Sequence, residues 1–98
     1  MFVVGKNQAH NQELVERASP NDWWIHADDA PSAHGIVPAT PRFPRKVAKQ
    51  CCLEIKRQTP GLRKRHKVQF IVTKAKHISS TDVPGQVVVH RVLRKLTL

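Results

Sequence analysis

The sequence has no long apolar run: nowhere do about 18 apolar residues follow one another, the length that a membrane-spanning helix requires. The N-terminus also lacks a basic segment followed by an apolar stretch, so nothing indicates a secretory signal. Tyrosine is absent and aromatic residues make up only 5% of the chain. We therefore expect no contact with a membrane, and the two tryptophans become informative because so few aromatic residues accompany them.

Cysteine is scarce and is placed where no disulfide is expected. Cys51 and Cys52 are adjacent and fall within a helical pattern, where such residues are more often small buried side chains than a bridge. With 40% apolar residues, the 98-residue chain can form one core without disulfides or metal. We predict a single domain over residues 1–98, no cofactor, and a reducing, cytoplasmic setting.

Acidic residues are scarce in the second part of the chain. Residues 42–98 hold 15 Lys and Arg against two acids, a net charge of +13, whereas residues 1–41 hold two against five, a net charge of −3. Between Arg42 and Lys67 there are ten basic residues and one acid, Glu54. Such clustering is typical of domains that bind a polyanion, most often nucleic acid. The alternative interpretation is a basic surface that serves solubility alone.

The hydrophobic periodicity predicts an α+β domain with two helices and a mixed or antiparallel sheet of five to six strands. The first helix is expected to be capped by Asn7 or Asn11, and the second to begin at Pro44. Residues 79–83 are expected to form a loop and Pro84-Gly85 a turn. The predicted strands cover residues 1–5, 22–27, 33–37, 68–73, 86–91 and 94–98, and the helices cover 8–18 and 44–58.

Residues 21–37 contain both tryptophans and two of the six histidines. Because side chains alternate along a strand, Trp24 and His26 are expected on one face and Trp23 and Ile25 on the other, towards the core. A hairpin symmetric about Ala30 would place His26 opposite His34 and Trp24 opposite Ile36.

The chemistry of this hairpin is open to several interpretations. Its histidines and aspartates match no metal-ligand spacing, so we predict no metal site. Acid/base chemistry on a phosphodiester could use His26 and His34 alone, and a purely structural role is a further alternative. In the binding interpretation an exposed Trp24 stacks on a base, whereas Trp24 could equally belong to the core.

The chain resembles the RNA-binding domain of the NFACT proteins, whose motif is roughly Asp-x-Trp-Phe-His, then a Pro/Gly/Ser-rich turn ending in Ser-His or Ser-Ala-His. The spacing from His26 to Ser32-Ala33-His34 agrees with that motif. Three further blocks occur in the family's order: Val4-Gly5-Lys6-Asn7 with Asn11 and Leu14, then Val68–Lys74, then Pro84-Gly85-Gln86-Val87. The helix over residues 44–58 is more basic than that family leads us to expect.

The resemblance implies a module that binds tRNA or ribosome-associated RNA, linked to ribosome quality control or tRNA modification. A larger ribosome-associated or tRNA-modifying protein would be its partner, and no catalytic residue is predicted. The alternatives are a small RNA-directed hydrolase using His26 and His34, and a protein-interaction module with a basic face. The predicted nucleic-acid-binding residues are Lys6, Asn7, Asn11, Trp24, His26, Ser32, His34, Arg63, Lys64, Arg65, Lys67, Lys74, Lys76 and His77.

Overall fold

Two helices and seven strands follow one another in the computed structural model, which describes residues 1–98. In chain order they are β1 (Val3–Val4), α1 (Gln8–Arg17), β2 (Trp23–Ala27), β3 (Gly35–Val37), α2 (Arg45–Gln58), β4 (Gln69–Lys74), β5 (Ile78–Ser80), β6 (Val87–Val89) and β7 (Arg94–Thr97). A short 3₁₀ helix, Ala75–His77, joins β4 to β5. The domain has the predicted α+β class.

Five of the strands form one antiparallel sheet in the order β1-β3-β2-β4-β7. The remaining two strands, β5 and β6, pair only with each other. The prediction of a loop over residues 79–83 is therefore wrong at its start, since Ser79 and Ser80 belong to β5. Serine is not among the residues enriched in strands; Ser79 and Ser80 pair with β6, and the preceding Ile78 packs against the cluster of Trp24, Ile36 and Ile71.

The hairpin of β2 and β3 has the predicted register. Trp24 pairs with Ile36 and Ile25 with Gly35, so the turn is symmetric about Ala30. Trp23, Ile25 and Ala27 face one side of the sheet, whereas Trp24 faces the other.

Helix α2 covers the first face of the sheet through the predicted apolar stripe. Its buried residues are Ala48, Cys51, Cys52 and Ile55, and both cysteines are free. Gly35 of β3 allows this packing: a Cβ atom there would lie 2.5 Å from the Sγ atom of Cys51 and 3.0 Å from Cδ1 of Ile55. Close approach of helix and sheet therefore requires glycine at this position.

Helix α1 and the β5–β6 hairpin cover the second face. Leu14, Val15 and Ala18 of the helix and Ile78, Val87 and Val89 of the hairpin pack against buried Trp24, Ile36 and Ile71. The N-cap of α1 is Asn7, whose side chain accepts a hydrogen bond from the backbone N–H of His10 at 2.9 Å. Neither helix has the length and apolarity needed to span a membrane.

Candidate functional site

A cavity of about 630 Å³ opens on the second face, between the sheet and the tip of the β5–β6 hairpin. Trp24, His26 and His34 lie on its sheet side, the turn over residues 28–32 forms one wall, and residues 83–87 form another. Its volume lies in the range of about 300–1,000 Å³ that is usual for small-ligand sites.

A smaller polar groove of about 250 Å³ adjoins this cavity and shares Gln8, Asn11, Pro31 and Ser32 with it. The two depressions bring together half of the predicted binding residues. Lys6, Asn7, Asn11, Trp24, His26, Ser32 and His34 each line one or both of them.

Trp24 is part of the core. Its side chain is only 1% exposed, because α1 and the β5–β6 hairpin cover the face of the sheet on which it lies. The indole therefore offers no open face to a base, and the interpretation of Trp24 as an exposed stacking platform is wrong. The ring of His26, which is partly exposed, stacks on Trp24 with an interplanar angle of 8° and a centroid distance of 5.4 Å.

The two histidines are close to each other and hydrogen bonded in different ways. Their ring centroids are 5.0 Å apart at an interplanar angle of 82°. Nε1 of Trp24 donates to Nδ1 of His34 at 3.2 Å, and Nδ1 of His26 donates to the carbonyl of Ala27 at 2.6 Å. In the neutral forms, Nε2 carries the proton in His34 and the lone pair in His26.

Burial keeps both imidazoles neutral. Desolvation lowers the pKa of His34 to about 4, and the nearby His26 acts in the same direction, while a hydrogen bond with the Gly85 backbone opposes them. Desolvation also lowers the pKa of His26, against a hydrogen bond to the Ala27 carbonyl. The cavity therefore carries no histidine charge at neutral pH.

Asn11 and Ser32 hold the backbone around the cavity. The Asn11 side-chain oxygen accepts a hydrogen bond from the backbone N–H of His34 at 3.1 Å, and Asn11 is 8% exposed. A Cβ atom at Gly5 would lie 1.7 Å from that oxygen, which explains the glycine beside β1. Ser32 Oγ accepts from the Ala27 N–H at 3.1 Å and donates to the Ala33 carbonyl at 2.9 Å.

One hydrogen bond that sequence reasoning missed joins the tip of the β5–β6 hairpin to α1. The backbone N–H of Gly85 donates to Oε1 of Gln12 at 2.9 Å, across 73 residues of sequence. Gly85 has a φ of 79°, in the left-handed region that favours glycine. The Pro84-Gly85 turn signalled the bend, but no local pattern could have indicated its partner on α1.

The basic tract, residues 42–67, lies on α2 and on the loop that follows it. Two of its ten cations have acidic partners: Arg57 pairs with Glu54, and Arg65 makes a bidentate pair with Asp29 at 3.1 and 3.0 Å. Lys56 donates to the carbonyls of His66 and Leu98. The other seven are exposed and form no ion pair; they are Arg42, Arg45, Lys46, Lys49, Arg63, Lys64 and Lys67.

Of the predicted binding residues in the tract, Arg65 thus has a partner within the domain, whereas Arg63, Lys64 and Lys67 do not. The pair of Arg65 with Asp29 brings the loop after α2 next to the turn between β2 and β3. Sequence reasoning could not find this pair, because its members are 36 residues apart.

The remaining predicted residues, Lys74, Lys76 and His77, lie at the other end of the sheet. The register shows this, since Lys74 pairs with Trp23 at the start of β2, whereas the cavity is lined by the later residues of β2 and by the turn that follows them. Nζ of Lys74 lies 5.1 Å from the centroid of a Trp23 ring. Desolvation, followed by the charges of Lys76, Arg91, Lys74 and His90, lowers the pKa of His77. Together with Arg91 they form a second basic cluster, and none of its members lines the cavity.

The acidic residues of the turn pair with cations. Asp28 lies 3.6 Å from Nζ of Lys95, and Asp29 pairs with Arg65. No three His, Cys, Asp or Glu side chains are arranged so that they could hold a metal ion. The arrangement offers hydrogen bonds and apolar surface to a ligand.

No protein-family model matches this chain, and no protein of curated function does. A solved structure of the C-terminal part of the fibronectin/fibrinogen-binding protein from Streptococcus suis is similar to it, with a TM-score of 0.86 and 24% sequence identity. The similarity covers 99% of this chain and 39% of that chain, so this chain spans about two fifths of its length. At this identity the likeness concerns the fold, and it agrees with the α+β architecture described above.

Proposed function

We propose that this domain is a cytoplasmic RNA-binding module that holds a tRNA or a ribosome-associated RNA, in ribosome quality control or in tRNA modification. The observation that carries the proposal is the set of seven exposed cations in the basic tract that have no acidic partner. A surface that serves solubility alone would mix charges of both signs.

Phosphate binding fits this surface better than binding of an isolated acidic group does. Four of the unpaired cations lie in or just before α2, and three lie in the loop after it. A polyanion that crosses both segments meets successive cations, and each neutralised phosphate releases counterions. Affinity for RNA should therefore fall steeply with salt.

The choice of RNA rests on the resemblance of the Trp/His hairpin and its flanking blocks to the NFACT RNA-binding domain. The same family context supports a larger ribosome-associated or tRNA-modifying protein as partner.

The test compares two double variants that remove the same charge. Arg63→Gln/Lys64→Gln neutralises two unpaired cations of the tract, and the control Arg17→Gln/Arg91→Gln neutralises two exposed arginines that lie outside the tract. We expect the first variant to weaken binding to all RNAs alike and to reduce the salt slope by about one per removed contact. Equal effects of the two variants would contradict binding through the tract.

A second candidate function is protein binding, and the structural similarity favours it. The Streptococcus suis protein is described as binding fibronectin and fibrinogen. If this domain had such a role, immobilised fibronectin or fibrinogen should capture it saturably, and RNA should not compete. The RNA proposal expects no saturable capture, or capture that any polyanion abolishes.

A further inference from the structure

We propose that the cavity beside Trp24 receives the uncharged base of one unpaired nucleotide, while the phosphates of that nucleotide stay outside. This inference rests on the proposed RNA-binding function and assigns the cavity a separate part in it. The basic tract would contact the backbone, and the cavity would take a base that has left its stack.

The charges around the cavity argue against a phosphate inside it. No Lys or Arg is among the 18 residues that line it, and the acids that do line it are Asp28 and Asp29. Burial lowers the pKa of both His26 and His34, so neither supplies a positive charge at neutral pH. A phosphate would therefore meet carboxylates without a cation in the cavity itself.

The cations that pair with the acids of the wall formed by residues 28–32 lie outside the cavity. Arg65 pairs with Asp29 and Lys95 pairs with Asp28, yet neither cation lines the cavity. The positive charges that neutralise the two acids of the wall therefore lie outside the cavity, as the phosphates of a nucleotide would. The separation of charge thus matches the separation of base and backbone in an unstacked nucleotide.

The polar groups of the cavity suit the edge of a base. The side-chain amide of Asn11 keeps its N–H groups for a ligand, since its oxygen serves the His34 backbone. Gln8 and Gln86 add neutral amides. Acceptors and donors side by side are what the Watson–Crick edge of a base requires.

The aromatic groups provide a planar surface. His26 continues the stack begun by Trp24, at an interplanar angle of 8°, and is more exposed than Trp24. We therefore assign to His26 the base-stacking role that the sequence analysis gave to an exposed Trp24. The indole of Trp24 packs against the other face of the imidazole. The volume of about 630 Å³ has room for a base together with its ribose.

The two tryptophan indoles allow a direct test by nuclear magnetic resonance. The Trp24 indole N–H donates to His34 at the cavity, whereas the Trp23 indole N–H donates to Thr40 at 3.1 Å, on the other side of the sheet. Titration with the free nucleosides adenosine, guanosine, cytidine and uridine should shift the Trp24 signal and leave the Trp23 signal in place. For a single base without its backbone, a Kd of roughly 1–10 mM is expected.

Inorganic phosphate and ribose 5-phosphate are the matched charged probes. Neither should shift the Trp24 signal, because no cation lines the cavity. A phosphate-induced shift as large as that from nucleosides would overturn the inference. So would the absence of any nucleoside-induced shift up to about 20 mM.

Variants of His26 test its stacking role. His26→Ala should abolish the nucleoside shifts, His26→Phe should retain part of them, and His66→Ala, at an exposed position away from the cavity, should leave them unchanged. Unchanged binding by folded His26→Ala would contradict the assignment.

The last comparison uses wild-type protein and RNA alone, so it does not depend on a variant that folds. Within a short bound RNA, replacing one base at a time by an abasic site should reveal one position where affinity falls about 5- to 150-fold. If no position matters while the affinity of the wild-type protein for the RNA still falls steeply with salt, the cavity inference fails and the proposed RNA-binding function stands. If the RNA does not bind at all, the proposed function fails instead.

Discussion

Acidification should destabilise this domain above pH 4, before its carboxylates are protonated. His34 is 2% exposed, and its pKa is lowered from 6.5 to about 4, chiefly by desolvation. Between these two pH values the unfolded chain binds a proton that the folded domain does not, so stability falls as the pH falls. At about 1.36 kcal/mol per pH unit, His34 alone accounts for a loss of about 3 kcal/mol.

The lowered pKa of His26 adds a loss in the same direction. Asp29 and Glu54 also have lowered pKa values, because arginines bond to them, but stability from a carboxylate is lost only below its ordinary pKa near 4. The two pH windows therefore barely overlap, and a loss seen between pH 6.5 and 4.5 belongs to histidine.

Urea unfolding followed by tryptophan fluorescence, at pH 7.5, 6.0 and 5.0, measures this loss. The variant His34→Gln keeps an acceptor for the Trp24 indole without titrating, so its stability should fall less over the same interval. A free energy of unfolding that is constant from pH 7.5 to 5.0 in the wild type would refute the reasoning, because a buried neutral imidazole must make the free energy of unfolding fall as the pH falls.

Three other predictions concern packing and chemistry. Burial raises the pKa of Cys51 and Cys52 to about 12, so a thiol reagent should react slowly with the native protein and rapidly after unfolding; fast native labelling of both would contradict the α2 stripe. Gly35→Ala should lower the free energy of unfolding in urea by about 1–3 kcal/mol, since its Cβ would lie 2.5 Å from the Cys51 sulfur. The control Gly61→Ala, with no atom within 4 Å of its Cβ, should leave the free energy of unfolding nearly unchanged. Equal losses in the two variants would contradict the close packing of α2. Incubation with tRNA, with and without divalent metal, should leave the RNA intact on a gel, and cleavage would disprove a binding role without catalysis.

The parts of the fold that follow from local patterns were predictable. Alternation fixes which face Trp23 and Trp24 take, and a turn centred on Ala30 then determines the pairing of Trp24 with Ile36. The stripe of α2, from Ala48 to Ile55, follows in the same way from its helical period.

What the sequence could not reveal depends on layers that meet across long separations. Alternation assigns Trp24 to the second face but does not say whether anything covers that face. Cover comes from α1 and from the hairpin tip, which are joined by Gln12 and Gly85 across 73 residues. The pairing of Arg65 with Asp29, and the absence of cations from the cavity, likewise emerge only from tertiary structure.

Crosslinking in cells tests the central claim most directly, because it identifies the partner and the contact surface together. Ultraviolet crosslinking, purification of the protein, sequencing of the attached RNA and mass spectrometry of the attached peptides would be combined. The account predicts tRNA or ribosomal RNA joined to peptides within residues 42–67 or to peptides that line the cavity. Recovery of no RNA above background, or of RNA joined only to the cluster around Lys76 and Arg91, would contradict it.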